Sequence, residues 1–252
     1  MTAIGMSSYS QAAPTAKRLS QRALVWLLCG AGGGLLALWR PSAFLPVVVA
    51  AASLWLLFTG FVLYFFRDPT PVAPQDREAI ISPAHGLVDV VDETTEPEFM
   101  GGACRRVSVF LSVFDVHVQN APVAGRVVLV RHQPGQFLNA MRTKSAQHNE
   151  NQLIGIESLE APGARVAVRQ IAGFIARRVV AWVNEGDSVA RGQRLGLIHF
   201  GSRCDLYLPL STQITVKPGD KVVGGRTVVA RRLSGATARR PASSASASTL
   251  PL

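Results

Sequence analysis

A serine directly follows a glycine in the short polar segment Gly201-Ser202-Arg203, which separates two apolar runs at 195–200 and 206–208. Each run is typical of a buried strand. In a tight bend between strands, a serine hydroxyl can lie against the preceding carbonyl, as an N-to-O acyl shift requires, and backbone strain at the bend would favour the shift. Gly-Ser is also a common turn, because glycine adopts unusual backbone angles and serine bonds its own backbone. A hairpin turn and a self-modifying peptide bond are therefore both open.

Histidines are the other candidates for proton transfer: His85, His117, His132, His148 and His199. No pair has the spacing of a metal site on a helix, so we expect no catalytic zinc. His117 follows an apolar run, with Asp115 two residues before it. If this segment is extended, both side chains point to one face and the carboxylate can lie beside the imidazole. A solvated histidine at a strand end is the alternative, and His199 is interpreted as structural.

Short β-type runs must position these side chains. From about residue 80 the chain alternates between apolar runs and Gly, Pro, Asn or Asp, as strands of a mostly antiparallel sheet do. The runs lie at 86–91, 106–114, 125–130, 165–171 and 179–183. Residues 138–150 are expected to form a short helix or an ordered loop.

The pattern Val-x-x-Gly-Asp-x-Val-x-x-Gly occurs twice, at 183–192 and 216–225. Two copies are too few for a solenoid. They suit two similar turns of a small β-sandwich, like those of biotinyl and lipoyl carrier domains. We expect Gly186 and Gly219 to adopt positive φ and the following aspartates to cap the turns.

The N-terminal third differs in character from the rest. Residues 1–22 are small, polar or basic and are expected to be disordered. Uncharged runs follow at 23–39 and 42–66, and the second is long enough to cross a bilayer of about 30 Å. We predict a membrane hairpin over 23–66 rather than a secretory signal peptide or a buried core, with Trp39 and the aromatic residues 64–66 at the interface. A proline-rich linker covers 67–79, and the tail 233–252 is expected to be disordered.

The net charge of +10 suits an anionic partner, either nucleic acid or a membrane rich in acidic lipids. The arginines are scattered and no nucleic-acid-binding motif is present, so we expect no nucleic-acid partner. The three cysteines are far apart, which argues against a disulfide framework and fits a reducing compartment.

Four blocks of this sequence, in the same order, resemble the short bacterial phosphatidylserine decarboxylase proenzymes. The match covers roughly residues 60–230, and its blocks are 110–117 with 121–125, 134–140 with 149–150, 170–178, and 200–209. The resemblance implies that 80–232 is a pyruvoyl-dependent decarboxylase domain that cuts itself between Gly201 and Ser202. The fold class is then mostly β: a transmembrane helical hairpin followed by an antiparallel β-rich domain with a biotinyl/lipoyl-like sandwich element.

The resemblance also implies the chemistry. The Ser202 hydroxyl attacks the Gly201 carbonyl, elimination releases the first chain, and residue 202 becomes a pyruvoyl group. This cofactor forms a Schiff base with phosphatidylserine and takes up the electrons released with CO2, which gives phosphatidylethanolamine. The two cleavage chains would remain together as a heterodimer at the cytoplasmic face of the inner membrane.

Roles for other residues follow from the same resemblance. His117 corresponds to a family histidine that is thought to act in proton transfer, and Arg177 and Arg178 are candidates to bind the phosphodiester. His85 replaces a usual aspartate. A histidine can act as the base of self-cleavage at neutral pH, and Asp205 could supply a carboxylate instead.

Two other functions fit parts of the pattern. One is a decarboxylase of another serine phospholipid, because the lipid tails lie outside the head-group site. The other is a membrane-tethered carrier module of the biotinyl/lipoyl type. The segment 195–209 contains no lysine to modify, which counts against a carrier.

Overall fold

The structure is a computed structural model that describes Cys29 and residues 45–135, 149–161, 163–173, 178–198 and 202–232. Within these ranges, helix α1 spans Leu45–Phe65 and the rest is β-structure. The strands are β1 Ala79–Ile81, β2 Gly86–Glu96, β3 Gly102–Leu111, β4 Val118–Asn120, β5 Gly125–Gln133, β6 Asn151–Ser158, β7 Arg165–Ile171, β8 Val179–Ala181, β9 Ser188–Val189, β10 Arg194–Ile198, β11 Ser202–Leu208, β12 Thr212–Ile214, β13 Lys221–Val222 and β14 Val228–Arg232.

Helix α1 is apolar on every side. Its 21 residues span about 31 Å, close to the thickness of a bilayer core. Thr59 and Phe65 are its buried residues, and most of its large apolar side chains are exposed. Among the described residues it is the one helix long and apolar enough to cross a membrane. Apart from Cys29, the first apolar run lies outside the described residues, as do Trp39 and both terminal segments, so the hairpin stays a prediction.

All paired strands are antiparallel, which confirms the mostly β, antiparallel prediction. An eight-stranded sheet has the order β13-β2-β3-β11-β7-β6-β5-β9, and two three-stranded sheets have the orders β1-β14-β12 and β4-β10-β8. This arrangement divides the β-domain into two similar halves. The first half contains β1–β3 and β11–β14, and the second half contains β4–β10. The halves meet where β11 pairs with β7, at the centre of the large sheet.

Strand register repeats between the halves. In the first half Lys221 pairs with Leu87, and in the second Ser188 pairs with Arg126 at the equivalent place. Both β2 and β5 contain a bulge at the same point, three residues after the strand begins. The second half is thus an insertion in the first, built on the same plan.

The repeated pattern forms the equivalent turn in each half. Gly186 and Gly219 have φ values of 95° and 97°, a region that favours glycine. Asp187 accepts a hydrogen bond from the N–H of Asn184, and Asp220 accepts one from Lys217 in the same way. The predicted positive φ and aspartate caps are therefore confirmed. The likeness to a biotinyl/lipoyl sandwich stays a prediction.

The connection between β10 and β11 is not a hairpin turn. The two strands belong to different sheets, β10 to a three-stranded sheet and β11 to the eight-stranded sheet. Ser202 and Arg203 are already part of β11, where both are buried. The hairpin reading of Gly201-Ser202-Arg203 is therefore wrong, because the chain crosses between sheets at this point.

The linker after α1 is fixed to the β-domain. The guanidinium of Arg191 donates to the carbonyl oxygens of Pro74 and Arg77 over 3.1 and 3.2 Å, and Asp68 forms an ion pair with Arg194 at 2.7 Å. The end of α1 consequently has a defined position against the strands.

Candidate active site

Two connections join the halves, and each carries a predicted site residue. Residues 112–117 lead from β3 to β4, and His117 is the last residue of this connection. Residues 199–201 lead back from β10 to β11, and Ser202 begins β11. The candidate site is therefore built where the chain passes from one half to the other.

Backbone contacts bring the two connections together. The N–H of Ile198, the last residue of β10, donates to the carbonyl oxygen of His117 over 3.2 Å. Ser202 pairs with Leu111, the residue that precedes the first connection. The ends of both connections are therefore joined by backbone pairing, at Ile198 with His117 and at Ser202 with Leu111.

Ser202 is fully buried, and its Oγ has no hydrogen-bond partner among the described residues. It lies on the same face of β11 as Cys204, which packs in the main apolar core. A buried hydroxyl without a partner costs about 1–3 kcal/mol, so this serine is poorly explained by stability. Such groups often mark a functional site. Gly201, the other half of the predicted cleavage bond, lies outside the described residues.

His117 is also buried, with 1% of its surface exposed. Its Nδ1 lies 2.8 Å from the carbonyl oxygen of Asp115. Because a carbonyl only accepts hydrogen bonds, Nδ1 must carry the proton, and Nε2 is the nitrogen that can gain or lose one.

Residues 112–115 form a turn rather than the extended strand expected before His117. The Asp115 carboxylate accepts hydrogen bonds from the N–H and Oγ of Ser112 over 2.8 and 2.7 Å. It is the backbone carbonyl of Asp115 that meets His117. The expectation of an extended segment is therefore wrong, and a carboxylate beside this imidazole stays a prediction.

The C-terminal end of α1 packs against His117. The Phe65 ring is 1% exposed, and its centroid lies 4.3 Å from that of His117. Arg67 donates to the carbonyl oxygen of Phe114 over 2.6 Å. Of the predicted interfacial aromatic residues, Tyr64 is exposed, but Phe65 is buried in the site. An aromatic residue at the end of an apolar run was the only local signal for this contact in the sequence.

His85 lies in the loop that joins β1 to β2. The N–H of Asn120 donates to the carbonyl oxygen of Pro83 over 2.8 Å, which places the 82–85 loop beside β4. Burial lowers the pKa of His85. The Arg67 guanidinium acts in the same direction, while the carboxylates of Asp115 and Asp68 oppose it. His85 is therefore held in its neutral form to lower pH than an exposed histidine.

Asp205 is not brought together with Ser202. Its side chain lies on the opposite face of β11, where the Tyr207 hydroxyl donates to its Oδ2 over 3.4 Å. Burial raises the pKa of Asp205, and the guanidinium groups of Arg203, Arg106 and Arg169 oppose the shift. This placement gives Asp205 no direct route to the hydroxyl of residue 202.

Arg178 is exposed and immediately precedes Val179, whose partner in the sheet is Ile198. It therefore lies near the point where β10 ends. Arg177 lies outside the described residues. The N–H of Val179 donates to Glu150 over 3.3 Å, which brings the 149–150 block to the same place.

Two buried glutamines at the site had no assigned role in the sequence. Gln170 donates from Nε2 to Oε1 of Gln119 over 2.7 Å, and Gln119 donates from Nε2 to the carbonyl oxygen of His117 over 2.7 Å. Gln170 begins one of the four blocks, but its position alone does not reveal a partner in another sheet.

The chain was compared with known proteins. The family model for phosphatidylserine decarboxylase matches residues 58–230. A phosphatidylserine decarboxylase proenzyme from Desulfotalea psychrophila is 44% identical over 194 residues, which cover 75% of this chain and 90% of the relative. One from Symbiobacterium thermophilum is 46% identical over 171 residues, covering 68% and 79%. One from Erythrobacter litoralis is 42% identical over 210 residues, covering 73% and 84%. This chain belongs to the phosphatidylserine decarboxylase family.

Proposed function

We propose that this chain cuts itself between Gly201 and Ser202, converts Ser202 to a pyruvoyl group, and decarboxylates phosphatidylserine to phosphatidylethanolamine and CO2. The observation that carries the proposal is the buried Ser202 hydroxyl. It has no hydrogen-bond partner in the described part of the chain, and Ser202 begins β11, where the chain returns from the second half, while His117 ends the other connection between the halves.

The residues present suit a pyruvoyl group formed in place. Residue 202 begins a fully buried strand, so a group made there would be fixed by the sheet and shielded from water. When formed, the group supplies a ketone that condenses with the substrate amine and takes up the electron pair released with CO2. The bond to be cut lies at a crossing between sheets, where a break leaves both flanking strands paired within their own sheets.

His117 supplies the proton that replaces CO2 on the substrate carbon. Its Nδ1–H is engaged with the Asp115 carbonyl, so transfer takes place at Nε2. Contact with Phe65 keeps the ring in a dry environment, where a positioned acid is most effective.

His85 acts as a base during self-cleavage. It is neutral near pH 7 because burial lowers its pKa, and it lies in the 82–85 loop beside β4. Arg178, exposed beside the end of β10, binds the substrate phosphodiester. We assign this role to only one of the two arginines, with Arg177 as the alternative to Arg178.

The two cleavage chains remain together as a heterodimer. After the cut, β11 of the small chain still lies between β3 and β7, and β14 lies between β1 and β12. Separating the chains would break main-chain pairing on both sides of β11 and the pairing of β14 with β1, so we expect release only on unfolding.

The protein acts at the cytoplasmic face of the inner membrane. Helix α1 is apolar and long enough to enter the bilayer, and its last turn contacts His117, which supports a site at the point where the helix leaves the lipid. Deleting residues 1–66 should shift the protein from the membrane fraction toward the soluble fraction. Added salt should strip that truncated form from anionic vesicles but leave the full chain bound, because salt screens charge but not apolar insertion. Full-length protein removed by salt alone would contradict insertion.

Intact mass of the purified protein tests the cleavage. We expect two chains, residues 1–201 and a 51-residue piece that begins at former Ser202 and carries the mass of a pyruvoyl terminus. Ser202→Ala should give one uncut chain without CO2 release from phosphatidylserine. An active preparation that contains only full-length protein would rule out this maturation.

A further inference from the structure

A pair of buried amides bridges two sheets beside the cleavage crossing. Gln170 lies on β7 of the eight-stranded sheet, and Gln119 lies on β4 of the adjacent three-stranded sheet. Both side chains are fully buried, and their hydrogen bond of 2.7 Å joins the two sheets. Gln170 faces Cys204 of β11, so its side chain lies on the same face of the sheet as Ser202.

The carbonyl of His117 fixes the orientation of both amides. This oxygen can only accept, so Gln119 must present Nε2 to it and therefore presents Oε1 to Gln170. Gln170 must then present its own Nε2, since an oxygen would not bond to Oε1 of Gln119. Flipping either amide would break a bond, so His117 and the eight-stranded sheet are connected by one defined relay.

Filling this space with two glutamines lowers the stability of the fold. Oε1 of Gln170 is buried without a hydrogen-bond partner in the described part of the chain, at a cost of about 1–3 kcal/mol. Position 196 of the three-stranded sheet is also a glycine, and a Cβ there would lie 2.7 Å from Nε2 of Gln170. An apolar pair of similar size would be at least as stable.

The first half has such an apolar pair in the equivalent place. Ile80 pairs with Ala230 as Gln119 pairs with Gly196, so Ile80 corresponds to Gln119 and Ala230 fills the position of Gly196. Both Ile80 and its partner strand pack in the main core.

The counterpart of Gln170 follows from the same register. In the first half, Val91 pairs with Val107, which pairs with Leu206. In the second half, Val130 pairs with Ile154, which pairs with Val168. Leu206 therefore corresponds to Val168. Two residues further along these strands, Leu208 corresponds to Gln170. Leu208 is buried in the same core cluster as Ile80. The fold thus needs no amides here.

We propose that Gln119 and Gln170 are positioning residues that keep His117 in register with residue 202 once the 201–202 bond is cut. The inference rests on the proposed function. Before the cut, residues 199–201 link β10, which binds the His117 carbonyl through Ile198, to β11. The cut removes this covalent link, and the relay then directly connects His117 to the sheet that contains residue 202.

The test exchanges the amides for the pair used by the first half. We would prepare full-length Gln119→Ile/Gln170→Leu, the single variant Gln119→Leu, and the control Gln193→Leu. Gln193 is a matched amide whose Oε1 accepts from the N–H of Ala190 within a turn and bridges no sheets. For each protein, the cut fraction is measured by intact mass, and kcat and KM are measured by CO2 release from phosphatidylserine in vesicles.

We expect the exchange variant to fold and cut as the parent does. Its kcat per cut chain should fall about tenfold to hundredfold, as for a displacement of about 1 Å at a reacting group, while KM stays within about twofold. Gln119→Leu should lose a similar factor, because either change breaks the same relay, and Gln193→Leu should keep the parental kcat.

Parental kcat in the exchange variant, or a change confined to KM, would overturn the inference. Loss of folding or cutting in both the exchange variant and Gln119→Leu would also overturn it, because the pair would then be structural. A parent that neither cuts nor releases CO2 would instead refute the proposed function.

Discussion

The loop that enters β2 in the first half and the loop that enters β5 in the second follow the same course. Gly86 and Gly125 stand at equivalent positions, and a Cβ on either would collide with a carbonyl oxygen of the neighbouring strand, that of Phe110 or that of Glu157. The preceding residue differs: it is His85 in the first loop and Ala124 in the second. The backbone therefore requires a glycine in both loops, whereas an imidazole precedes the glycine in the first loop only.

The same contrast holds elsewhere at the site. His117 directly precedes β4, whereas Glu78 directly precedes the equivalent β1. Gln119 corresponds to Ile80, and the turn residues Asp187 and Asp220 are the same in both halves. Because the halves fold alike, a residue present in both serves the fold. A polar residue present in one half only is a candidate for chemistry.

Removing His117 should have the largest effect among the unshared residues. We expect His117→Ala to be cut, wholly or in part, and to turn over phosphatidylserine about 10²–10⁴-fold more slowly, because one general acid is lost. Gels and CO2 release from the same preparation would check both stages. Turnover within a few-fold of the parent would remove His117 from the decarboxylation step.

Replacing His85 with the residue of the second half, His85→Ala, should slow cutting by about 10²-fold, at the lower end of the range for a general base. The fraction that does mature should keep near-normal turnover per cut chain, since this residue is assigned to cleavage only. His85→Asp should be cut at least as fast as the parent. If His85→Ala matures at the parental rate, His85 is a bystander.

The pH dependence of cutting sharpens this assignment. Burial and Arg67 lower the pKa of His85, so the imidazole stays neutral and basic as pH falls below the ordinary histidine range. The cutting rate should be flat around pH 7 and decline only as pH drops through the lowered pKa. In His85→Asp the decline should move to still lower pH, because a carboxylate keeps its charge there. Time courses of cutting in buffers of constant ionic strength would show it.

Much of the fold could be predicted from local pattern. The strand at 165–171 matches β7, and the two repeated turns formed as glycine and aspartate at those spacings require. The strand predicted at 106–114 ends at Leu111 in the structure, because residues 112–115 form a turn in which the Asp115 carboxylate accepts a hydrogen bond from the N–H of Ser112. Pattern alone does not tell a hairpin from a crossing between sheets, so the β10–β11 connection remained open.

The site was less predictable, because its contacts are made between distant segments. Ser202 and His117 were proposed through resemblance and residue type, and both are buried at the ends of the connections between the halves. Asp205 was chosen for its closeness in sequence, but the alternation of a strand directs it to the opposite face. The packing of Phe65 on His117 joins the apolar helix to the β-domain, and no local periodicity encodes such a contact.

The smallest expected effect concerns residues that the halves share. Asp187→Ala and Asp220→Ala each remove one carboxylate hydrogen bond to a turn N–H, of 2.9 Å in both cases. We expect each change to cost about 0.5–1.5 kcal/mol, a fall of roughly 2–6 °C in Tm, with cutting and kcat unaltered. The two losses should be similar, because the turns have the same geometry, and they should add in the double variant, because the turns lie in different halves. Thermal unfolding followed by circular dichroism would measure them. A loss of kcat in one variant alone would show that a shared residue also serves chemistry, and comparison of the halves would then no longer separate fold from function.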